Sequence, residues 1–236
     1  MKECMSEPGS RRSGQGRVHD AEGTRTAILD AAEEVFAENG FDGSRIDGIA
    51  AKSGYNKSLI FHYFEDKLGL YAEVLKRADR DTTELQTRVL IPMLADETVA
   101  SNDQRFRSLL GTTVTVLFDY LVEHPRLIRI LLWEQAEGWQ TYAKIASQFD
   151  TADIQQFEVL FRTARKAGLL RSDLNPVLQL TIALQICLSY LTFIPMYQLL
   201  LPDEDFSSTD ALVHARDQLV KFVVAGMMID PPETKP

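Results

Sequence analysis

Cysteine is scarce in this chain: two residues in 236, Cys4 in a polar segment and Cys187 in an apolar run. A small disulfide-framed fold needs many more. Neither thiol has the His or Cys spacing of a metal or redox centre, so the expectation is no metal, no cofactor and free thiols in a reducing cytoplasm. Met1–Arg17 lacks the apolar stretch of a secretory signal. Positive charge is also in deficit, with 25 Lys and Arg against 34 Asp and Glu and a net charge of −9. Taken alone, that balance argues against a nucleic-acid partner, whose binders carry a basic footprint. With 45% hydrophobic residues, the chain is too apolar to be disordered.

Other signatures are missing too. No alternating apolar run is bounded by turn residues, which excludes a sheet-based fold, and no internal repeat is found. Enzyme motifs are absent: no Gly-rich phosphate loop, no Gly-x-Ser-x-Gly elbow and no His-Glu-x-x-His helix. One uncharged stretch, Leu174–Pro202, is long enough to test as a membrane span, which needs about 18 or more apolar residues. It contains Gln179, Gln185 and Gln198, which are costly in hydrocarbon. The reading is no membrane, and a helix buried in a bundle and against a partner subunit.

What is present reads as helix throughout, an all-α chain. Residues 1–22 have almost no large apolar side chains and read as a flexible arm. Ile28, Ala31, Ala32 and Val35 then follow helical spacing, Phe36 extends the stripe, and Asn39-Gly40 stops it. Ser44-x-x-Asp47 resembles a capping box at the head of a short helix carrying Ile46, Ile49 and Ala50 inward. Gly54 ends that helix. Asn56 caps the next, with Ile60 and Phe64 inside, and Asp66 caps a longer one with Leu68, Tyr71, Ala72 and Leu75 on one face. Further helices are expected over roughly 103–123, 126–136, 140–167, 177–200 and 209–229.

Two short helices joined at Gly54 have the form of a helix-turn-helix, whose second helix enters the major groove of DNA. The second helix presents Asn56, Lys57, Ser58, Leu59, His62 and Tyr63 at its start and outer side. Lys and Asn donate to base edges or phosphates, and Lys67 opens the following helix.

On these residues, Thr24–Leu75 resembles the DNA-binding domain of the TetR (tetracycline-repressor-like) family of bacterial regulators. The matching positions are Ala31-Ala32, Phe36, Gly40-Phe41, Ser44, Ile46, Ile49-Ala50, Gly54, Lys57, Ile60, His62-Tyr63-Phe64, Lys67 and Leu70. Ser58 and Leu59 depart from the Gly-Thr often found after this lysine, and Asn56 stands where Ser is common. The resemblance implies an N-terminal three-helix DNA-binding domain over 23–68 and a larger helical ligand-binding and dimerisation domain over 69–236. Its DNA-contact set here would be Ser44, Arg45, Asn56, Lys57, Ser58, Leu59, His62, Tyr63 and Lys67.

The expected partners are double-stranded operator DNA, a second copy of the chain and a small apolar or aromatic effector. Candidate effector contacts are Phe118, Trp133, Trp139, Tyr142, Phe157, Phe161, Gln185, Tyr190 and Phe193. The last two helices are expected to pair across a homodimer through Leu180, Leu184, Leu188, Leu191, Val220, Val223 and Met227. Divided by region, residues 1–80 carry 12 basic and 14 acidic side chains, and residues 81–236 carry 13 and 20. The acidity lies mainly outside the reading head, and Arg11, Arg12 and Arg17 give the arm a basic character suited to a groove or phosphates. The function expected is a ligand-released repressor acting on a palindrome and not an enzyme, with an activating or ligand-independent regulator of the same fold, or an all-helical enzyme, as the alternatives.

Overall fold

The computed structural model describes residues 14–94, 96, 98–149, 152–171 and 175–229. Cys4, Arg11 and Arg12 lie outside these residues, as does the side chain of Arg17. Among the described residues every element is helical apart from one isolated bridge between Leu170 and Met228. They fall into two compact units that divide between Val74 and Leu75.

The first unit contains α1 (Gly14–Gly43), α2 (Ile46–Ser53), α3 (Lys57–Phe64) and the start of α4 (Lys67–Val89). α1 begins earlier than the sequence suggests: Gly14–Glu22, read as arm, is helical. Extension adds one hydrogen bond per residue once a nucleus is fixed, and Ile28, Ala32 and Phe36 fix it by full burial. The helix kinks at Gly40, at the stop read from Asn39-Gly40.

Ile49, Ile60, Phe64, Leu70 and Tyr71 complete this core, each large apolar side chain adding about 1.5–3 kcal/mol. Ile46, Ala50 and Leu68, expected inside, are only half-buried. Phe36 and Phe41 both meet Tyr71 edge-on, at 4.9 and 5.1 Å between ring centres.

The capping box does not form. Arg45 is the N-cap of α2 and makes no side-chain cap bond. Ser44, one residue earlier, is buried, and its hydroxyl donates to the carbonyls of Val35 (3.1 Å) and Gly40 (2.5 Å). The other two caps match the sequence reading. Asn56 Oδ1 accepts from Leu59 N–H (2.9 Å), and Asp66 Oδ1 accepts from Gly69 N–H (2.7 Å).

The second unit centres on α6 (Asp103–Glu123), which packs against α11 (Thr209–Met227), α10 (Pro176–Leu200) and α7 (Pro125–Ala136). α5 (Ile91–Leu94) precedes it. The stretch expected as one helix over 140–167 is instead α8 (Gln140–Ile145), a short 3-10 turn and α9 (Ala152–Lys166). Phe149 leaves the helix in extended conformation, and its ring lies 5.3 Å from that of Tyr142. After α9 the chain is tied to the end of α11 by hydrogen bonds between Arg171 and Met227 and between Ile229 and Leu169. Donation from Arg216 Nη1 to both Asp119 carboxylate oxygens, at 3.0 and 3.1 Å, joins α11 to α6 and raises the guanidinium pKa.

The residues expected at a dimer interface face the core of the single subunit. Leu188, Val223 and Met227 are buried within the subunit, and Leu180, Leu184, Leu191 and Val220 pack onto the same core. Pattern alone carries no bias here, because α10 is apolar on every side and such a helix has no inward face to read. Its outward stripe is Leu178, Ile182, Phe193, Met196 and Leu200, spaced by three, four or multiples of a turn, with Phe222 exposed on α11. Leu178–Leu200 is long and apolar enough to cross a membrane by length and composition.

Candidate nucleic-acid interface and ligand site

α3 is held from below and open above. Ile60 and Phe64 enter the core, while Lys57, Ser58, Phe61 and His62 are exposed, at i, i+1, i+4 and i+5 on one outward face. Leu59 and Tyr63, one turn apart, flank it half-buried. Asn56 is exposed at the cap, and Gly54 before it adopts the left-handed conformation (φ 76°, ψ 6°) that sets the angle between α2 and α3. Arg45 is exposed at the start of α2.

The structure therefore brings seven of the nine expected contacts to one region and sets two apart. Ser44 is buried and committed to backbone carbonyls, so its side chain leaves the set. Lys67 donates to the carbonyls of Phe41 (2.8 Å) and Ser44 (3.1 Å) and stands 4.2 Å from the centre of the Phe41 ring. Its ammonium is engaged within the protein, which gives it a structural role at this joint. The residue missed is Phe61, 42% exposed in the middle of the outward face. Its position one turn after Lys57 and off the Ile60–Phe64 stripe is the signal that finds it. An exposed aromatic there suits a thymine methyl.

Lys57 is not isolated either: its ammonium lies 2.5 Å from Asp47 Oδ1. Arg25 pairs with Glu73 and sits over the Phe64 ring. Lys52 pairs with Glu34 (2.6 Å) and Glu38 (3.4 Å), which raises its pKa.

Among the expected effector contacts the rings touch in three sets, the first two within one core of the second unit. Phe118 meets Tyr190, whose ring is followed by Tyr197 and then Phe193. Phe161 packs between Phe106 and Phe157. Trp139 meets Tyr142. Trp133 and Trp139 are exposed, Phe193 is half exposed and Gln185 is half-buried. Near Tyr142, the buried Glu134 carboxylate accepts from the Tyr142 N–H at 3.1 Å. Burial, then the Asp79 and Glu134 charges, raise the Tyr142 pKa.

A cavity of about 550 Å³ lies elsewhere, between α6 and α11, lined by Arg107, Ser108, Thr112, Thr115, Val220 and Lys221 among others. Its α6 wall is polar, and Val220 on its α11 wall was expected at the dimer face. Among the described residues no group of three metal-ligating side chains is found. Burial pushes the Cys187 thiol up to about 12, which leaves it chemically quiet.

Comparison with known proteins agrees with this architecture. The family description "Bacterial regulatory proteins, tetR family" matches residues 28–74, and "Tetracyclin repressor-like, C-terminal domain" matches residues 107–223. The chain is 34% identical over 120 residues to the HTH-type transcriptional repressor SCO4008 of Streptomyces coelicolor, covering 51% of this chain and 54% of that protein. It is 30% identical over 128 residues to the HTH-type transcriptional activator FasR of Mycolicibacterium smegmatis, covering 54% and 52%. The aligned region thus spans about half the length of these curated relatives. The crystal structure of the transcriptional regulator SCO4942 of Streptomyces coelicolor superposes with a TM-score of 0.57 at 26% identity, covering 86% of this chain and 98% of that one. With both the reading head and the C-terminal body matched, the chain belongs to the TetR family of bacterial regulatory proteins.

Proposed function

We propose that the protein is a cytoplasmic, homodimeric, ligand-responsive transcription regulator that represses by occupying a palindromic operator. The observation carrying this reading is the outward face of α3, where Lys57, Ser58, Phe61 and His62 are exposed above a packed Ile60–Phe64 stripe. With Asn56 and Arg45 beside it, that face has the donors and apolar surface that base edges require. Repression needs only occupancy, and the relationship to SCO4008 supports that sign. The relationship to FasR keeps activation as the second reading.

The dimer would form through the apolar stripe of α10, from Leu178 to Leu200, with Phe222 of α11. A two-fold dimer places two α3 helices in successive major grooves, about 34–36 Å or a multiple of that apart. The effector would be apolar or aromatic, taken up among the aromatic groups of the second unit, and α4, continuous with both units, would carry the change. By linkage, DNA and effector then weaken one another equally.

Selection of duplexes bound by the full chain from a random pool tests the reading. The expected product is one short palindrome whose affinity falls sharply with Lys57→Ala or Tyr63→Ala while the dimer persists. Recovery of no common sequence would reject it.

A further inference from the structure

Five cations in residues 21–74 have described side chains: Arg25, Arg45, Lys52, Lys57 and Lys67. Four are engaged inside the unit. Arg25 pairs with Glu73, Lys52 with Glu34 and Glu38, and Lys67 with two carbonyls. Lys57 pairs with Asp47, and this pair differs from the others in its position. Lys57 opens the outward face of α3, and the carboxylate holding it comes from the first turn of α2 and is itself 71% exposed. The lysine best placed to meet DNA already has an anion on it.

We infer that Asp47 is a specificity-determining residue, whose carboxylate occupies Lys57 in place of a backbone phosphate. The inference rests on the DNA-binding reading above. Random DNA offers Lys57 a phosphate, which is one anion in exchange for another. Asp47 then regains a counterion from solution, so the net ion release that drives nonspecific binding is reduced. A guanine edge offers more: O6 and N7 accept directed hydrogen bonds from an ammonium, and Asp47 can stay close enough to share the charge. The carboxylate thus lowers affinity for random sequence more than affinity for the operator. Exposed ion pairs are weak, so the discrimination amounts to a several-fold change.

The test compares the full chain with Asp47→Asn on two probes, a short random-sequence duplex and the duplex recovered by selection, between about 50 and 200 mM salt. Asp47→Asn is expected to raise affinity for the random duplex about threefold to fivefold and to steepen its log–log salt slope by about 0.9. Affinity for the selected duplex should move by less than about twofold, lowering the specificity ratio. In a Lys57→Met background the same substitution should leave the random-duplex affinity unchanged. Equal gains on both duplexes would mean plain repulsion and overturn the inference. So would a gain that survives Lys57→Met, or no gain at all. A pool that yields no selected sequence would remove the DNA-binding reading and this inference with it.

Discussion

Lys67 and Phe41 are bound to each other twice: the ammonium donates to the Phe41 carbonyl at 2.8 Å and also faces the Phe41 ring at 4.2 Å from its centre. A second donation, to Ser44 at 3.1 Å, ties the start of α4 to the end of α1 and the entry to α2. Charge-assisted bonds of this kind contribute about 1.5–3 kcal/mol each, and the ring contact about 0.5–2 kcal/mol. Because these contacts share one half-buried ammonium and do not add, Lys67→Met is expected to lower stability by about 2–4 kcal/mol, read by urea denaturation. DNA affinity should fall on every sequence without the loss of about 0.9 in salt slope that a phosphate contact predicts. A flattened slope with unchanged stability would return Lys67 to the phosphate-binding set.

Charge placed on the two sides of α10 should have opposite consequences. Phe193→Asp or Leu200→Glu adds charge at positions 50% and 67% exposed in the single subunit. The expected result is a folded monomer by sedimentation. Leu188→Asp buries an unpaired charge beside Cys187 in the subunit core, and helical signal should be lost together with the dimer. A folded monomer from Leu188→Asp would place that residue at the interface after all.

The first unit was largely readable from the sequence because its helices are amphipathic and their ends carry side-chain signals. Ile28, Phe36, Ile60 and Phe64 are buried where helical spacing puts them, and Asn56 and Asp66 cap where their positions suggest. Tertiary competition decides what pattern cannot. Ser44 has the sequence of a cap, but the nearby carbonyls of Val35 and Gly40 take its hydroxyl. Lys67 has the position of a phosphate contact, but two carbonyls lie within its reach. In the second unit, α10 has no polar side to orient it. Aromatic content alone does not tell which rings touch, and the structure sorts them into three sets.

Two glycines at the ends of the recognition element should differ in cost. Gly54 has φ 76° with open space where a Cβ would stand, so Gly54→Ala is penalised by backbone conformation alone, about 1–2 kcal/mol. At Gly69 a Cβ would lie 2.3 Å from the Phe64 carbonyl oxygen. That contact forces the turn between α3 and α4 to move, and Glu65 in that turn already sits at φ 63°, ψ −61°. Gly69→Ala should accordingly lower the melting temperature more than Gly54→Ala and abolish sequence-specific binding. The reverse order in thermal melts would contradict the turn geometry.

Cys187 supplies a reactivity test and a pH test. Its thiol is held up to about 12 against an ordinary value of 9.0, so it remains protonated at pH 8. A thiol-specific maleimide should leave Cys187 unmodified in the native protein and label it after denaturation. The folded state binds this proton more tightly than the unfolded state does. Its stabilising contribution is therefore complete below about pH 9 and lost as pH rises from there toward 12. Cys187→Ala should flatten that alkaline loss in denaturation curves. An unchanged curve would assign the loss to other groups.

Gln179 is 2% exposed, and among the described residues neither its amide nitrogen nor its amide oxygen has a hydrogen-bond partner. It lies one turn before Ala183 on the side of α10 that enters the core, where a buried amide without partners costs about 1–3 kcal/mol. Leucine has nearly the same volume and no polar atoms. Gln179→Leu should thus raise the urea midpoint without changing the slope, equivalent to a stability gain of about 1–3 kcal/mol. A loss of stability would show that the amide is satisfied in solution, by water or by a bound molecule. Repeating the measurement after denaturing and refolding the protein, which removes co-purified small molecules, separates these two. If wild type loses stability on that treatment and Gln179→Leu does not, the partner is a bound molecule; if neither changes, it is water.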